Sequence, residues 1–397
     1  MNSVSVDEVS LLSHLECPEC GMVHEASVIN TVCINPECRS TLYACYDLPH
    51  GLSKDILTGR PASMWRYKEF LPVIDEKNIV TLGEGFTPII PIENLKSFTT
   101  DNEVLWKDES GNPTGSFKAR GISAAISKAK ELGIKTIAIP TAGNAGGALA
   151  AYAARAGIKA IVYMPKLTPK VFKDECRLYD AQLVEIDGNI SDCGKLVNEH
   201  AILNDWFQLS TLKEPYRLEG KKTMGYEIAE QFNWQLPDVI LYPTGGGTGL
   251  LGIWKAFYEM EQLGWIGSKR PRMVTVQSAS CDGIVKAFHA GKTASDFTDG
   301  GFTIANGLRV PKPYADKLIL KVLRESNGNA LSISDTEMNT ALKELARHEG
   351  MLIAPEGAAL WQAFKQLKAA TWIQAGETVL LINTGSGYKY LENIEIE

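Results

Sequence analysis

No apolar run in the sequence approaches the length of a membrane span. The first residues, Met1 to Ser13, also lack the basic-then-apolar pattern of a secretory signal. A cytoplasmic location with no membrane partner is therefore the expectation. Positive charge is scarce as well. A net charge of −7 argues against nucleic acid as a partner, because phosphate binding needs a concentrated basic face. The cysteines give no disulfide framework: Cys45, Cys176, Cys193 and Cys281 are scattered singly, as in a reduced intracellular enzyme. Nor does the composition depart from that of soluble globular proteins, which excludes disorder and fibres. The 397 residues leave room for two sizeable domains and a small appendage.

The other four cysteines are clustered. Cys17-Pro18-Glu19-Cys20 is one C-x2-C knuckle, and Cys33 and Cys38 bound a longer second one. Two such knuckles can deliver four thiolates to a tetrahedral Zn2+, the logic of a zinc ribbon. The segment is too short and polar to build a core of its own, so a metal is a physical means of folding it. The same spacing is compatible with a ribbon that carries no metal or forms a disulfide. Four cysteines leave no open position for substrate, so Cys17, Cys20, Cys33 and Cys38 are expected to be structural ligands.

Further on, Ser110-Gly111-Asn112-Pro113-Thr114-Gly115-Ser116-Phe117-Lys118-Ala119-Arg120-Gly121 runs from turn formers into a helix-compatible segment. A lysine at such a junction sits among N–H groups and a positive dipole end, which disfavour its charged form. A neutral amine there suits a Schiff base with an aldehyde cofactor. From Lys135 onward, short apolar runs (Thr136 to Pro140, Ala160 to Pro165, Gln182 to Ile186, Val239 to Tyr242) alternate with helical stretches. The alternation predicts an α/β fold with parallel sheets covered by helices on both faces. Ligands of such folds bind where glycine-rich turns leave strands and enter helices.

There are three such turns. Thr141-Ala142-Gly143-Asn144-Ala145-Gly146-Gly147 offers N–H groups to a carboxylate and an asparagine to a phenolic oxygen. Pro243-Thr244-Gly245-Gly246-Gly247-Thr248-Gly249 lies between a buried strand and a helix, as a nest for a phosphate does. Ile382-Asn383-Thr384-Gly385-Ser386-Gly387 closes the set. Arg217, in Pro215-Tyr216-Arg217-Leu218-Glu219-Gly220-Lys221-Lys222-Thr223, can clamp a phosphate with two hydrogen bonds or pair with Glu219 or Asp174. Glu356 opens a helix, where it is first a favourable charge and second a catalytic candidate.

These strings resemble the fold-type II pyridoxal-phosphate enzymes, and among them the threonine synthase family. The resemblance rests on Leu82-Gly83-Glu84-Gly85-Phe86-Thr87-Pro88, on Asn112 to Lys118, on the P-Y-R-x-E-G-x-K-T wording of Pro215 to Thr223, and on Thr384 to Lys389. It implies a tryptophan synthase β-like fold of two three-layer α/β/α domains with pyridoxal 5'-phosphate between them. Lys118 then carries the cofactor, and Gly245, Gly246, Gly247, Thr248 and Gly249 hold its phosphate. Asn144 meets its 3-hydroxyl and Thr384 its pyridine nitrogen. Thr141, Ala142 and Gly143 bind the substrate's α-carboxylate, and Arg217 its phosphate. The expected units are residues 1–50 as the ribbon, 51–130 with 216–397 as the large domain, and 131–215 as a small mobile domain, in a homodimer. The implied reaction turns O-phosphohomoserine and water into threonine and phosphate. Three features depart from the family wording: Ala119 follows the lysine where the family has D-R-G, the second turn lacks asparagine, and Leu212-Lys213-Glu214 lacks the serine and asparagine expected beside a second phosphate site. All three point toward the alternative, a threonine or serine ammonia-lyase acting by β-elimination. A cofactor-binding regulatory protein that meets a partner through its ribbon is a third reading.

Overall fold

The computed structural model describes residues 9–396. Three antiparallel strands come first: β1 (Leu12–Glu16), β2 (Val23–His24) and β3 (Tyr43–Tyr46), in the order β2-β1-β3. Their core is only Leu15, Cys17, Ala26, Cys33, Leu42 and Ala44. The ribbon leans on the main body instead. Leu11 and Tyr43 pack against the large hydrophobic core, and the Tyr46 hydroxyl donates to Glu219 at 2.8 Å. The Tyr314 hydroxyl reaches the Arg39 carbonyl.

β4 (Ile89–Pro91), the single turn α1 (Lys96–Thr99) and β5 (Glu103–Asp108) lead to α2 (Lys118–Glu131). A run of βα units follows: β6 (Thr136–Pro140), α3 (Asn144–Ala156), β7 (Lys159–Pro165), α4 (Lys170–Leu178), β8 (Gln182–Ile186), α5 (Ile190–Asn204) and β9 (Phe207–Gln208). The second half holds α6 (Tyr216–Gln231), β10 (Val239–Pro243), α7 (Thr248–Gln262), β11 (Arg272–Ser278), α8 (Gly283–His289) and α9 (Asp316–Glu325). It ends with β12 (Asn329–Ile333), α10 (Asp335–Glu349), α11 (Pro355–Ala369) and β13 (Thr378–Asn383).

The strands form two further sheets. One has the order β12-β11-β10-β13-β5-β4, parallel except for β4; the other is β8-β7-β6-β9, parallel throughout. Alternation of side chains across each strand builds a core on either face. In the large sheet, Leu105, Ile240, Tyr242, Met273 and Leu380 face α6, α7, α8 and α9. Their neighbours Val104, Trp106, Leu241, Val274 and Leu381 face α10 and α11. In the small sheet, Ile137, Ile139 and Val162 meet α2, α3 and α4, while Ala138, Ile161 and Tyr163 meet α5. Each sheet is thus the middle of three layers, the expected fold-type II architecture. Strands β11 and β12 are not among the expected ones, because Thr275, Gln277, Asn329 and Ser332 interrupt their apolar runs.

α2 and α6 touch backbone to backbone. A Cβ on Gly220 would lie 2.0 Å from the Arg120 carbonyl oxygen, and one on Gly121 would lie 2.7 Å from that of Arg217. Only glycine permits such an approach, and it sets the two cation-bearing helices side by side.

Candidate active site

A cavity of about 650 Å3 opens where the strand ends of both sheets face each other. Lys118 sits at the start of α2, held there by its neighbours in sequence. Phe117 donates its N–H to the Thr384 carbonyl at 3.0 Å, and Ser386 donates to that of Gly115 at 3.0 Å. The lysine string is therefore clamped to the turn after β13, which brings Lys118 and Thr384 into one wall. Burial, reinforced by Arg217, lowers the Lys118 amine to about 7 against the pull of Glu356. That is the neutral-amine setting expected from its place in the sequence.

The other charged residues around the string lie behind this wall, not in it. Arg120, fully buried, bridges Glu109 at 2.6 Å and Glu227 at 2.5 Å, and Lys107 joins Glu227 at 2.8 Å. Burial alone would raise the Glu227 carboxyl, but Arg120 and Lys107 together hold it at about 2. Asn112 donates to Glu109 at 2.8 Å and accepts from Gly85 at 3.0 Å; Phe86 donates to Glu227 at 2.7 Å. Glu84 accepts from Trp65 at 3.0 Å and from Tyr152 at 2.5 Å. The G-E-G-F-T-P and N-P-T-G strings are thus stitched together as a buttress under Lys118. Ala119 is fully buried in the core that covers one face of the small sheet and does not line the cavity. The departure from D-R-G is therefore a packing change, not a change in what the substrate meets.

The glycine turn before α7 forms the opposite wall. Gly247 has φ +76°, and a Cβ there would lie 2.3 Å from Ile319. A Cβ on Gly245 would lie 2.1 Å from the Gly307 carbonyl oxygen. Glycine is demanded at both positions, and the N–H groups of this turn, at the start of a 15-residue helix, are where a phosphate could be held. Gly245, Gly246, Gly247 and Thr248 line the cavity; Gly249 does not, being pressed against the Tyr242 hydroxyl. Thr141, Ala142, Gly143 and Asn144 contribute the third side, at the start of α3.

Asn144 donates to the Tyr390 hydroxyl at 3.3 Å, which in turn donates to Glu356 Oε1 at 3.0 Å; Gly307 N–H also reaches Oε1, at 2.7 Å. Asn144 Oδ1, Glu356 Oε2 and the Tyr242 hydroxyl are buried without a hydrogen-bond partner. Orphaned groups of this kind converging on a cavity are what a polar ligand would satisfy. Burial raises the Glu356 carboxyl despite the N–H groups of its own helix and Gly307. Tyr242, Tyr390 and Lys221 escaped the sequence reading. Tyr242 ends an apolar strand that reads as core, Lys221 lies inside a helical stretch whose motif singles out Lys222 instead, and Tyr390 lies beyond the last strand.

Arg217 makes neither of the pairs its charge pattern allowed. Glu219 is held by Lys222 at 2.6 Å and Lys255 at 3.0 Å, and Asp174 by Lys170 and Arg177. Arg217 instead points along the cavity, with Nη1 on the Leu209 carbonyl at 3.0 Å and Thr211 Oγ1 at 3.3 Å. Away from the cavity, Cys17 and Cys38 lie 3.5 Å apart at sulfur, Cys20 and Cys33 3.6 Å apart, and all four are free thiols. A tetrahedral site with Zn–S near 2.3 Å spaces its sulfurs by about 3.8 Å, so the donor set fits. His24 stays outside it, and His14 groups with Glu16 and Cys45.

Comparison with known proteins agrees with this geometry. The pyridoxal-phosphate dependent enzyme family matches residues 80–385. Threonine synthase from Methanocaldococcus jannaschii is 35% identical, over 94% of this chain and 92% of that protein. The threonine synthase of Methanosarcina acetivorans is 35% identical over 94% and 91%. Among solved structures, maize serine racemase superposes with TM-score 0.65 at 21% identity, covering 77% of this chain and 92% of that one. Escherichia coli diaminopropionate ammonia lyase gives 0.67 at 19%, covering 78% and 87%. At those identities the solved structures speak for the fold.

Proposed function

The chain belongs to the pyridoxal-phosphate-dependent enzymes and, within them, to the threonine synthases, and on that premise we propose that it makes threonine and phosphate from O-phospho-L-homoserine and water. The reaction is a β,γ-elimination followed by hydration at Cβ. The observation that carries the substrate is Arg217, a buried guanidinium left without a direct carboxylate hydrogen bond and lining the cavity beside the reactive amine.

Each wall of the cavity has its own task. Gly245, Gly246, Gly247 and Thr248 present N–H groups, with the Thr248 hydroxyl, to the cofactor's phosphate. Lys118 anchors its aldehyde carbon, Asn144 is assigned to the 3-hydroxyl, and Thr384 to the pyridine nitrogen. When bound, pyridoxal phosphate draws electrons from the substrate's Cα and so acidifies the protons at Cα and Cβ. Thr141, Ala142 and Gly143 bind the α-carboxylate, fixing which Cα bond is weakened. Lys118, released when substrate binds, moves protons at Cα and Cβ; an amine near 7 can both take and return them at neutral pH. Arg217 holds the phosphate in place as it leaves.

Outside the cavity, Cys17, Cys20, Cys33 and Cys38 bind a structural Zn2+. Residues 131–215 move as the small domain against 51–130 and 216–397. The enzyme works in the cytoplasm as a homodimer on a small amino acid. No described helix is long and apolar enough to cross a membrane.

Three substrates test the reaction. The purified, cofactor-loaded enzyme is offered O-phosphohomoserine, threonine and serine separately. Phosphate release with stoichiometric threonine is expected. Release of a 2-oxoacid from threonine or serine, with no turnover of O-phosphohomoserine, would overturn the reading in favour of an ammonia-lyase, to which the asparagine-free turn at Gly245 to Thr248 is the pointer.

A further inference from the structure

Lys221 is the second amine lining the cavity, and the mechanism above gives it no task. It occupies an open place of the P-Y-R-x-E-G-x-K-T wording, which fixes Lys222 and leaves 221 free. Lys222 is spent on Glu219 at 2.6 Å and Glu259 at 2.9 Å. Lys221 is 1% exposed, and among the described residues its amine has no carboxylate at ion-pair distance. Its contact is the Phe117 ring, whose centroid lies 4.5 Å from Lys221 Nζ and 4.0 Å from Lys118 Nζ. The stem reaches this position because Gly121 clears the way: a Cβ there would stand 3.1 Å from Lys221 Cε. A buried amine without a partner lowers stability, so a packing role alone would favour an apolar side chain.

Arg217 lies one turn earlier on the same face of α6. Its Nε is buried and unpaired. The nearest carboxylate, Glu214, stands 4.0 Å from Nε and spends its other oxygen on the N–H groups of Tyr216 and Arg217. Two cations thus line one wall, short of negative charge. The wall abuts the glycine turn without being part of it, since a Cβ on Gly246 would lie 2.9 Å from Thr211, the hydroxyl partner of Arg217.

We propose that Lys221 joins Arg217 in a second phosphate site of the cavity, distinct from the glycine cradle, which takes the phosphate of the substrate. The inference rests on the functional reading above, and it supplies the second polar partner that Leu212-Lys213-Glu214 does not. Burial, then Lys118 and Arg217, drive the free Lys221 amine well below its ordinary value, with Glu214 opposing. Glu356 reaches the group only through Lys118. A phosphate dianion beside it reverses that balance, so binding draws one proton from solvent onto Nζ, converting amine to ammonium.

Calorimetric titration of the cofactor-loaded enzyme with inorganic phosphate, in two buffers of different ionisation heat, reads both affinity and proton uptake. Wild type is expected to bind with uptake approaching one proton. Lys221→Met, which keeps the stem, is expected to weaken Kd roughly tenfold or more and to abolish the uptake. Cofactor absorbance and retention stay unchanged, and KM for O-phosphohomoserine rises more than kcat falls. Lys221→Gln is the second variant should Met disturb folding, with thermal unfolding as the check. Unchanged phosphate affinity in the folded variant overturns the proposal, as does absence of phosphate binding to wild type. A loss that falls on cofactor retention instead assigns both cations to the cofactor's phosphate and also overturns it. Failure of wild type to turn over O-phosphohomoserine sinks the functional reading alone, because the phosphate titration decides Lys221 without turnover.

Discussion

Lys118 combines two properties that are usually opposed, access to ligand and shelter from water. Its amine opens on the cavity, yet Phe117 covers one side and the α2–α6 contact closes another. Loading of the cofactor-free protein should therefore follow the neutral amine. The rate of cofactor attachment is expected to rise through about pH 7 and then level off; a midpoint near that of an exposed lysine would refute the setting. The same shift acts on stability. Between about 7 and the ordinary lysine value of 10.5, the unfolded chain holds a proton that the folded one does not, so stability of the cofactor-free form rises with pH in that window. Lys118→Ala is expected to leave the cofactor unfixed by borohydride and to remove activity by at least about a thousandfold. A cofactor still covalently held after that change would mean another amine, with Lys221 the nearest candidate.

At the level of elements, the site is the meeting of helix starts, among them α2, α3, α6, α7 and α11, and the turn after β13. The ion network beneath α2 keeps them in register. Arg120→Met leaves the buried Glu109 without a cation and Glu227 with Lys107 alone, and is expected to lower stability by about 3–5 kcal/mol in denaturant titration. A loss under about 1 kcal/mol would show the network to be dispensable. The three turns and their flanking elements were legible in sequence because a buried parallel strand followed by glycines and a helix leaves a strong local pattern. Tyr242, Tyr390 and Lys221 were not, since each enters the cavity from an element whose pattern reports packing. Glu356 was legible as a helix-start charge, but its orphaned oxygen exists only once Gly307 and Tyr390 occupy the other one. Ala119 misled for the converse reason. It stands next to the reactive lysine in sequence yet, one position along the helix, turns into the core.

The whole molecule is two cores and a small attachment that depends on them unequally. The ribbon's own core is slight, whereas the main body has extensive cores on both faces of each sheet. One Zn2+ per chain is expected by metal analysis. Chelation should speed proteolysis between Cys17 and Tyr46 while the main body stays folded. Absence of metal, with all four cysteines modified by a thiol reagent as fast as in the unfolded chain, would exclude the site. The large sheet carries a different dependence. Its last strand in sequence, β13, lies in the middle, between β10 and β5. On a ribosome, the small sheet can assemble early, because all its strands fall between Thr136 and Gln208. The large one waits with an unfilled slot until Thr378 to Asn383 clears the exit tunnel. Only then does Thr384 meet Phe117. The Lys118 amine is synthesised early, but it acquires its surroundings from residues translated long after it, so a nascent chain cannot complete this wall of the cavity until β13 has emerged.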